Sequence, residues 1–414
     1  MTSQYNEDYT SRNFIEDTVH STNAIMTGGK MISEGGFGCV FYPEVKCSGN
    51  VSSIDRLVSK IQVADKNAEN EVKIGKIIKS IYDFNNYFSP VISECPVQIK
   101  KIKDDQKNKC KIFKKYKKTR FSLMKMEYIK GDTFIGHVMK FDNKHELNIN
   151  LINSYNHLLK GLSKLISNRI VHFDLKGNNI LFRNEMRVPI IIDFGLSISI
   201  DEMEEADEEK LKQYFYVYAP EYYIWPIEVH YLNYILHVNK NPTNDELLRI
   251  ATEYVRENPI LSNMFTYDFR LKYVETCMKQ LKKYNKMSNA QRITYILNNW
   301  FTWDNYSLSF IFFKLFLYIN INGFLNNNFI IYFSKILLMN IHPNPNKRMG
   351  LTQNIHNFNQ FFYGENYDKK TFNDIKDKFE DNINLIDKAV SIDQKNDIKN
   401  TFKMKQSKIK SLDH

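Results

Sequence analysis

No C-x-x-C pair occurs in this sequence. Its five cysteines, Cys39, Cys47, Cys95, Cys110 and Cys277, are an odd and widely scattered set, so their spacing suggests neither a zinc site nor a disulfide framework. The start, Met1 to Asp8, is polar and acidic, without the apolar core of a cleaved secretory signal. Unpaired thiols and no signal together point to a reducing, intracellular and cytoplasmic setting. Long hydrophobic runs are missing too. The most apolar stretch, Leu308 to Ile321, carries Lys314 and is too short to span a bilayer, which favours a buried core helix. Lys and Arg number 57 against 47 Asp and Glu, a formal charge of +10 that allows a loose attraction to polyanions. No basic stripe interleaved with aromatics accompanies it, so neither a specific nucleic acid nor a membrane is expected as partner. A hydrophobic content of 43% over 414 residues excludes a disordered chain and allows two domains or one large bilobed one.

What is present is concentrated in one run, Ile170-Val171-His172-Phe173-Asp174-Leu175-Lys176-Gly177-Asn178-Asn179-Ile180-Leu181, followed by Ile192-Asp193-Phe194-Gly195. Hydrophobic residues frame a polar loop in which Asp, Lys and Asn recur at short intervals, and a second Asp stands at a strand end beside Gly195. Phosphoryl transfer needs a carboxylate to orient the attacking hydroxyl, a cation on the moving phosphoryl group, and oxygen ligands for the magnesium that bridges the nucleotide phosphates. Asp174, Lys176, and Asn179 with Asp193 would supply them in that order. Alone, Asp-Phe-Gly is ordinary turn chemistry; the two motifs in this order carry the reading. They resemble the catalytic loop and the metal-binding triplet of the eukaryotic protein kinase family.

The resemblance extends over about residues 27–350. Met31 to Tyr42 is a small-residue turn flanked by β-formers, the pattern of a hairpin whose backbone can approach a ligand closely. It resembles the family's glycine-rich loop: Gly35, Gly38 and Val40 match, and Ser33 stands where the first glycine is expected. The resemblance implies that backbone amides of Gly36, Phe37 and Gly38 cover a triphosphate and that Val40 packs on adenine. Ile32, Ser33, Glu34 and Cys39 complete the cover. Arg56 to Gln62 alternates as a strand, with Lys60 where the family's phosphate-binding lysine lies. The next segment has Val72, Ile74, Ile77 and Ile78 at helical spacing, and Glu71, ahead of Glu69 as second choice, would pair with Lys60. Ser122 to Gly131 resembles the strand entering the interlobe hinge. Met126 would then be the gatekeeper, with backbone groups of Glu127 and Ile129 holding the base.

Between Pro90 and Arg120 the runs Ile99 to Asp104 and Lys109 to Lys118 are strongly basic and read as exposed strands and a solvated loop. Glu146 to Asn168 has the period of an amphipathic helix. Beyond Gly195 the pattern departs from the family in three respects. Phe173 replaces the arginine that usually precedes the catalytic Asp, and no Ser or Thr lies between Asp201 and Glu221, so activity should not wait for loop phosphorylation. Tyr214 stands where a threonine usually contacts that Asp. The acidic run Asp201 to Glu209 is either a phosphate substitute or a mobile solvated loop. Tyr218-Ala219-Pro220-Glu221 resembles the motif closing the activation segment, with Arg348 as the expected partner of Glu221. Asp304, in Trp303 to Leu308, resembles the residue that bonds the catalytic-loop backbone from the start of the central helix.

The expected architecture is α+β: a bilobed kinase-like fold with a flexible leader at 1–26, a β-rich N-lobe and hinge at 27–130, and a helical C-lobe at 131–350. A helical insertion at about 222–302 and a polar helical tail at 351–414 complete it. The implied activity is a Ser/Thr protein kinase using ATP and Mg2+ on a protein hydroxyl. A small-molecule phosphotransferase and a pseudokinase scaffold are the alternatives. Composition, insertion and hairpin resemble kinases of large cytoplasmic DNA viruses.

Overall fold

The computed structural model describes residues 29–35, 38–45, 56–97, 102, 104–116, 119–321 and 328–363. The leader at 1–26, Gly36 and Phe37 of the glycine-rich turn, and the tail beyond residue 363 lie outside the described residues.

The N-terminal part opens with β1 (Lys30–Glu34), β2 (Gly38–Tyr42) and β3 (Leu57–Val63) and the helix α1 (Lys66–Ser80). Then follow β4 (Phe88–Ser89), β5 (Ser93–Pro96), two short helices α2 (Asp104–Lys109) and α3 (Lys111–Lys115), and β6 (Phe121–Glu127). Five of these strands form one antiparallel sheet in the order β1-β2-β3-β6-β5. Side chains alternate between its faces. Val40, Val58, Met124 and Met126 pack together on one side, and Cys39, Phe41, Ile61, Phe121 and Leu123 on the other. Asp65 starts α1 by accepting the Asn67 and Ala68 amides at 3.0 and 3.1 Å, satisfying donors that a helix start leaves open.

Two expectations fail in this lobe. The basic stretch before Arg120 holds α2 and α3 rather than exposed strands, because Ile102, Cys110 and Ile112 are buried against the sheet while the lysines line the solvent side. The cysteines are not all free: Cys39 and Cys110 form a disulfide across 71 residues of sequence, Cys95 is also disulfide-bonded, and Cys277 is free and buried. Half-cystines brought together by a sheet and a distant helix pair have no signature in local spacing. The bond closes a long loop of the unfolded chain, and the loop-entropy account gives it about 4 kcal/mol. Cys110→Ser should accordingly lower the unfolding free energy by about that amount, read by denaturant titration under non-reducing conditions. An unchanged midpoint would show the disulfide to be dispensable.

The C-terminal part is helical. After α4 (Phe134–Val138) comes α5 (Lys144–Ser167), which buries Leu151, Tyr155, Leu158, Leu159, Leu162 and Leu165 on one face. Short strands β7 (Ile170–Val171), β8 (Ile180–Arg183), β9 (Val188–Ile192) and β10 (Ile198–Ser199) bracket the polar loop of interest. Two short helices follow, α6 (Ile200–Glu204) and α7 (Glu208–Tyr214). The stretch 222–302 then contributes α8 (Ile227–His237), α9 (Asn244–Glu257), α10 (Pro259–Met264), α11 (Tyr267–Asn285) and α12 (Asn289–Leu297). Capping boxes at Thr243 with Glu246 and at Ser288 with Gln291 start α9 and α12. α8 is buried from Ile227 to Leu236, so this stretch is packed into the core and not laid on it.

The core centres on α13 (Trp303–Ile321), followed by α14 (Asn328–Asn340) and α15 (Leu351–Tyr363). Beyond its polar first turns α13 is apolar on nearly every side, as a core helix should be, and from Trp303 to Ile319 only Lys314 and Tyr318 are less than buried. Among the described residues no helix is long and apolar enough to cross a membrane.

Arg348 corrects a further expectation. Its guanidinium pairs with Glu228, not Glu221, through Nη1–Oε1 at 2.5 Å and Nη2–Oε2 at 2.8 Å, with both side chains fully buried. Glu221 is exposed. The Ala-Pro-Glu string is a local coincidence; Pro226-Ile227-Glu228, with one residue interposed, reaches the arginine. Glu228→Ala strands a buried guanidinium and should cost about 3–5 kcal/mol, visible as a large drop in thermal midpoint.

Candidate functional site

The polar loop is held from below. Asp304, at the start of α13, accepts the amides of His172 at 2.7 Å and Phe173 at 3.0 Å. His172 is fully buried; burial pushes its pKa down to about 4, and the neutral ring donates from Nε2 to the Ile192 carbonyl at 3.0 Å while Nδ1 accepts the Asp174 amide at 3.3 Å. The loop backbone is therefore tied at three successive residues. Phe173 sits at φ 64°, an uncommon conformation for a bulky residue, maintained by its ring stacked on Trp225 at 4.9 Å and by Trp225 Nε1 donating to its carbonyl at 2.7 Å.

This anchoring presents three side chains together, Asp174, Lys176 and Asn179. Asn179 Nδ2 donates to the Asp174 carbonyl at 2.9 Å and to its Oδ2 at 3.0 Å, and Lys176 Nζ lies 3.3 Å from Asp174 Oδ1. Burial raises the Asp174 carboxyl to about 6 in spite of the Lys176 ammonium beside it. Across the cleft Lys60 Nζ meets Glu71 Oε1 and Oε2 at 3.0 and 2.8 Å and Asp193 Oδ1 at 2.8 Å. Burial alone would lower the Lys60 pKa, but the two carboxylates outweigh it and hold the ammonium above its ordinary value. Against a similar burial penalty Lys60 keeps Asp193 below the usual carboxylate range. Glu69, the second choice as partner, is exposed.

Asp193 has φ 63°, which turns its carboxylate into the cleft while Phe194 goes the opposite way, buried against His172 and Phe88. Asn70 of α1 donates to the carbonyls of Gly195 and Ser197 at 3.3 and 2.8 Å. The helix carrying Glu71 is thus fastened to the strand end carrying Asp193.

Above the cleft the glycine-rich hairpin closes with the Gly35 amide on the Gly38 carbonyl at 2.8 Å. A Cβ at Gly38 would meet the Ile61 carbonyl oxygen at 2.4 Å, so only glycine lets the two strands approach. Val40, Val58 and Met126 line an apolar patch on the Lys60 side of the sheet. Ile32, Ser33 and Gly35 are exposed and Glu34 is half-buried. The Glu34 carboxylate accepts the Lys111 amide at 2.7 Å and approaches Cys39 Sγ at 3.9 Å. The Cys39 side chain lies in the disulfide on the far face, so backbone is all that Cys39 can offer a nucleotide. At the hinge the Glu127 side chain is held by Arg183 at 2.7 Å and its carbonyl accepts Ser89 Oγ at 3.2 Å, while Ile129 is buried.

The segment after Gly195 is fixed by carboxylates. Arg169 pairs with Asp201 at 2.5 Å and with Glu204, Glu202 pairs with Lys73 of α1, and Tyr214 donates to Glu202 at 3.2 Å. The acidic run is therefore partly helical and ion-paired. Tyr214 does not reach Asp174. Tyr222 does: its hydroxyl donates to Asp174 Oδ1, and its ring packs edge-on against Trp225 at 4.6 Å. Sequence reasoning missed Tyr222 because nothing in its neighbours marks it. It also missed Glu228, although a lone acid inside the apolar stretch Ile224 to Leu236 signals a buried partner.

The protein kinase domain family model matches residues 31–226. The matched stretch, 196 of the 414 residues, resembles a protein kinase domain. The two-lobed arrangement, a β-sheet N-lobe and a helical C-lobe with the cleft between them, is the bilobed kinase fold. For these residues the match supports the eukaryotic-type protein kinase superfamily and a phosphotransferase. Asp304, which holds the polar loop from beneath, and Arg348, the partner of Glu228, lie beyond the matched stretch. No curated protein matches the sequence.

Proposed function

We propose that this kinase domain is catalytically active and transfers the γ-phosphoryl group of ATP to serine and threonine hydroxyls of proteins. The observation that carries the reading is that Lys60 is bonded at once to Glu71 and Asp193 while Asp174, Lys176 and Asn179 converge opposite them. In that arrangement Asp174 orients the acceptor hydroxyl and takes its proton, since a carboxyl near 6 is ionised at neutral pH yet more basic than an ordinary one. Lys176 neutralises charge on the moving phosphoryl group, and Lys60, fixed by Glu71, positions the inner phosphates. Asn179 and Asp193 fit magnesium because both offer hard oxygen donors. When bound, the ion neutralises phosphate charge. Lys176 two residues after Asp174 supports Ser/Thr over Tyr acceptors.

Activity independent of Ser/Thr phosphorylation in the loop belongs to the same proposal. Where the family has an arginine to hold a phosphate, Phe173 is buried among Trp225, Phe215 and Trp303, and carboxylates already tie the segment to Arg169 and Lys73. Identifying phosphosites by mass spectrometry after incubation with Mg-ATP, a protein panel and small alcohols tests the assignment. Phosphoserine and phosphothreonine in the proteins are expected; label confined to a small alcohol would favour the small-molecule reading.

A further inference from the structure

β5 and β6 are neighbouring antiparallel strands with Pro96 opposite Ser122, and such neighbours need a connection of only about two to five residues. Here residues 97–120 intervene. They hold ten lysines and Arg120 against Asp104 and Asp105, a net +9 in a chain whose total is +10. Nearly all of the protein's excess charge is carried by this one insert.

The insert is built into the fold. Ile102, Cys110 and Ile112 are buried with Phe41 and Ile61 on the sheet face that points away from Lys60. Cys110 is bonded to Cys39 of β2, Gln106 of α2 accepts the Met31 amide of β1 at 2.9 Å, and Glu34 accepts the Lys111 amide at 2.7 Å. The two helices are thus pinned across the sheet, from the β5–β6 connection to β1. Their other side is left to solvent: Lys109, Lys111, Lys114 and Lys115 are exposed and Lys107 is half-buried. Lys107 pairs with Asp104 at 2.8 Å and Lys111 approaches Glu34 at 3.6 Å. Among the described residues, Lys109, Lys114 and Lys115 have no such ion pair.

We propose that this face binds the phosphodiester backbone of duplex nucleic acid, without sequence preference. Lysine ammoniums meet phosphates as point charges and lack the planar fork with which arginine reads a base edge. An amphipathic membrane anchor needs a free apolar face, and the apolar side of α2 and α3 is already buried against the sheet. Protein interfaces are depleted of lysine and centre on buried apolar side chains; of the large hydrophobic side chains described in the insert only Tyr116 is exposed, with Lys115 lying 5.2 Å over its ring. Phosphate contacts need no apolar centre, since counterion release supplies the affinity, and a duplex offers about one charge per 1.7 Å of axis. The site is separate from the catalytic cleft and its binding does not depend on phosphoryl transfer.

The test is fluorescence anisotropy of the full chain with a short labelled duplex, as DNA and as RNA and in two unrelated sequences, over salt from about 50 to 200 mM. All four probes should bind with similar affinity. Five lysines each meeting a phosphate predict a slope of log affinity against log salt of about −4 to −5. The triple variant Lys109→Gln, Lys114→Gln, Lys115→Gln should keep the thermal midpoint, bind at least roughly tenfold more weakly at low salt, and show a slope near about −2. Asp174→Asn should bind like the unmodified chain. No binding at low salt would overturn the proposal, as would a triple variant with unchanged affinity and slope, or loss of binding in Asp174→Asn, which would move the contact to the cleft. Tighter binding to vesicles of phosphatidylserine and phosphatidylcholine, or to polyglutamate, than to the duplexes would overturn the nucleic-acid assignment. None of these outcomes bears on the kinase reading.

Discussion

Asp174→Ala should abolish most turnover while leaving ATP affinity close to that of the unmodified chain. The carboxylate faces Lys176, Asn179 and the Tyr222 hydroxyl, which is the acceptor side of the site, and makes no contact with Lys60. Loss of a positioned general base costs roughly 100- to 10,000-fold in rate, or about 3–5 kcal/mol of barrier. The Asn179 amide loses a carboxylate partner but keeps the residue-174 carbonyl, so the loop need not collapse. Turnover within a few-fold of wild type would remove Asp174 from its role, and a parallel loss of ATP affinity would mean that the substitution had disturbed the nucleotide side.

Lys60→Ala should behave differently, and the contrast separates the two halves of the site. Lys60 holds Glu71 and Asp193 together; its removal leaves two carboxylates facing each other where phosphates must come. A charge-assisted hydrogen bond is worth about 1.5–3 kcal/mol, so ATP affinity should fall roughly 10- to 100-fold. Removing one preorganised electrostatic donor lowers turnover by about 100- to 1,000-fold. Calorimetric titration with Mg-ATP and single-turnover rates measure the two losses separately. Normal affinity together with a normal rate would show that another lysine anchors the phosphates.

Much of this site could be read along the chain because its parts are local. Asp174, Lys176 and Asn179 sit within one short loop, Asp193 follows on the next hairpin, and Glu71 was preferred to Glu69 because it directly precedes the apolar series of α1; Glu71 is 2% exposed. The features that escaped are those set by long-range packing. Glu228 and Arg348 are 120 residues apart, and an Ala-Pro-Glu string nearby drew the pairing to the wrong acid. Tyr222 was overlooked for Tyr214 because nothing in its neighbours marks it and only the folded segment brings its hydroxyl to Asp174. The Cys39–Cys110 bond depends on a sheet face meeting a helix pair that the lysine-rich composition of that stretch disguised as a loop.

Those corrections all concern the frame, and the cluster around Asp174 and Lys60 is unaffected by them. The most direct measurement of the account is transfer of labelled γ-phosphate from Mg-ATP by the purified full chain, to itself and to added protein, set beside Asp174→Asn. Incorporation by the unmodified chain and its loss in Asp174→Asn is the predicted result. Tight Mg-ATP binding with no incorporation above the Asp174→Asn level would contradict the account and leave a nucleotide-binding scaffold.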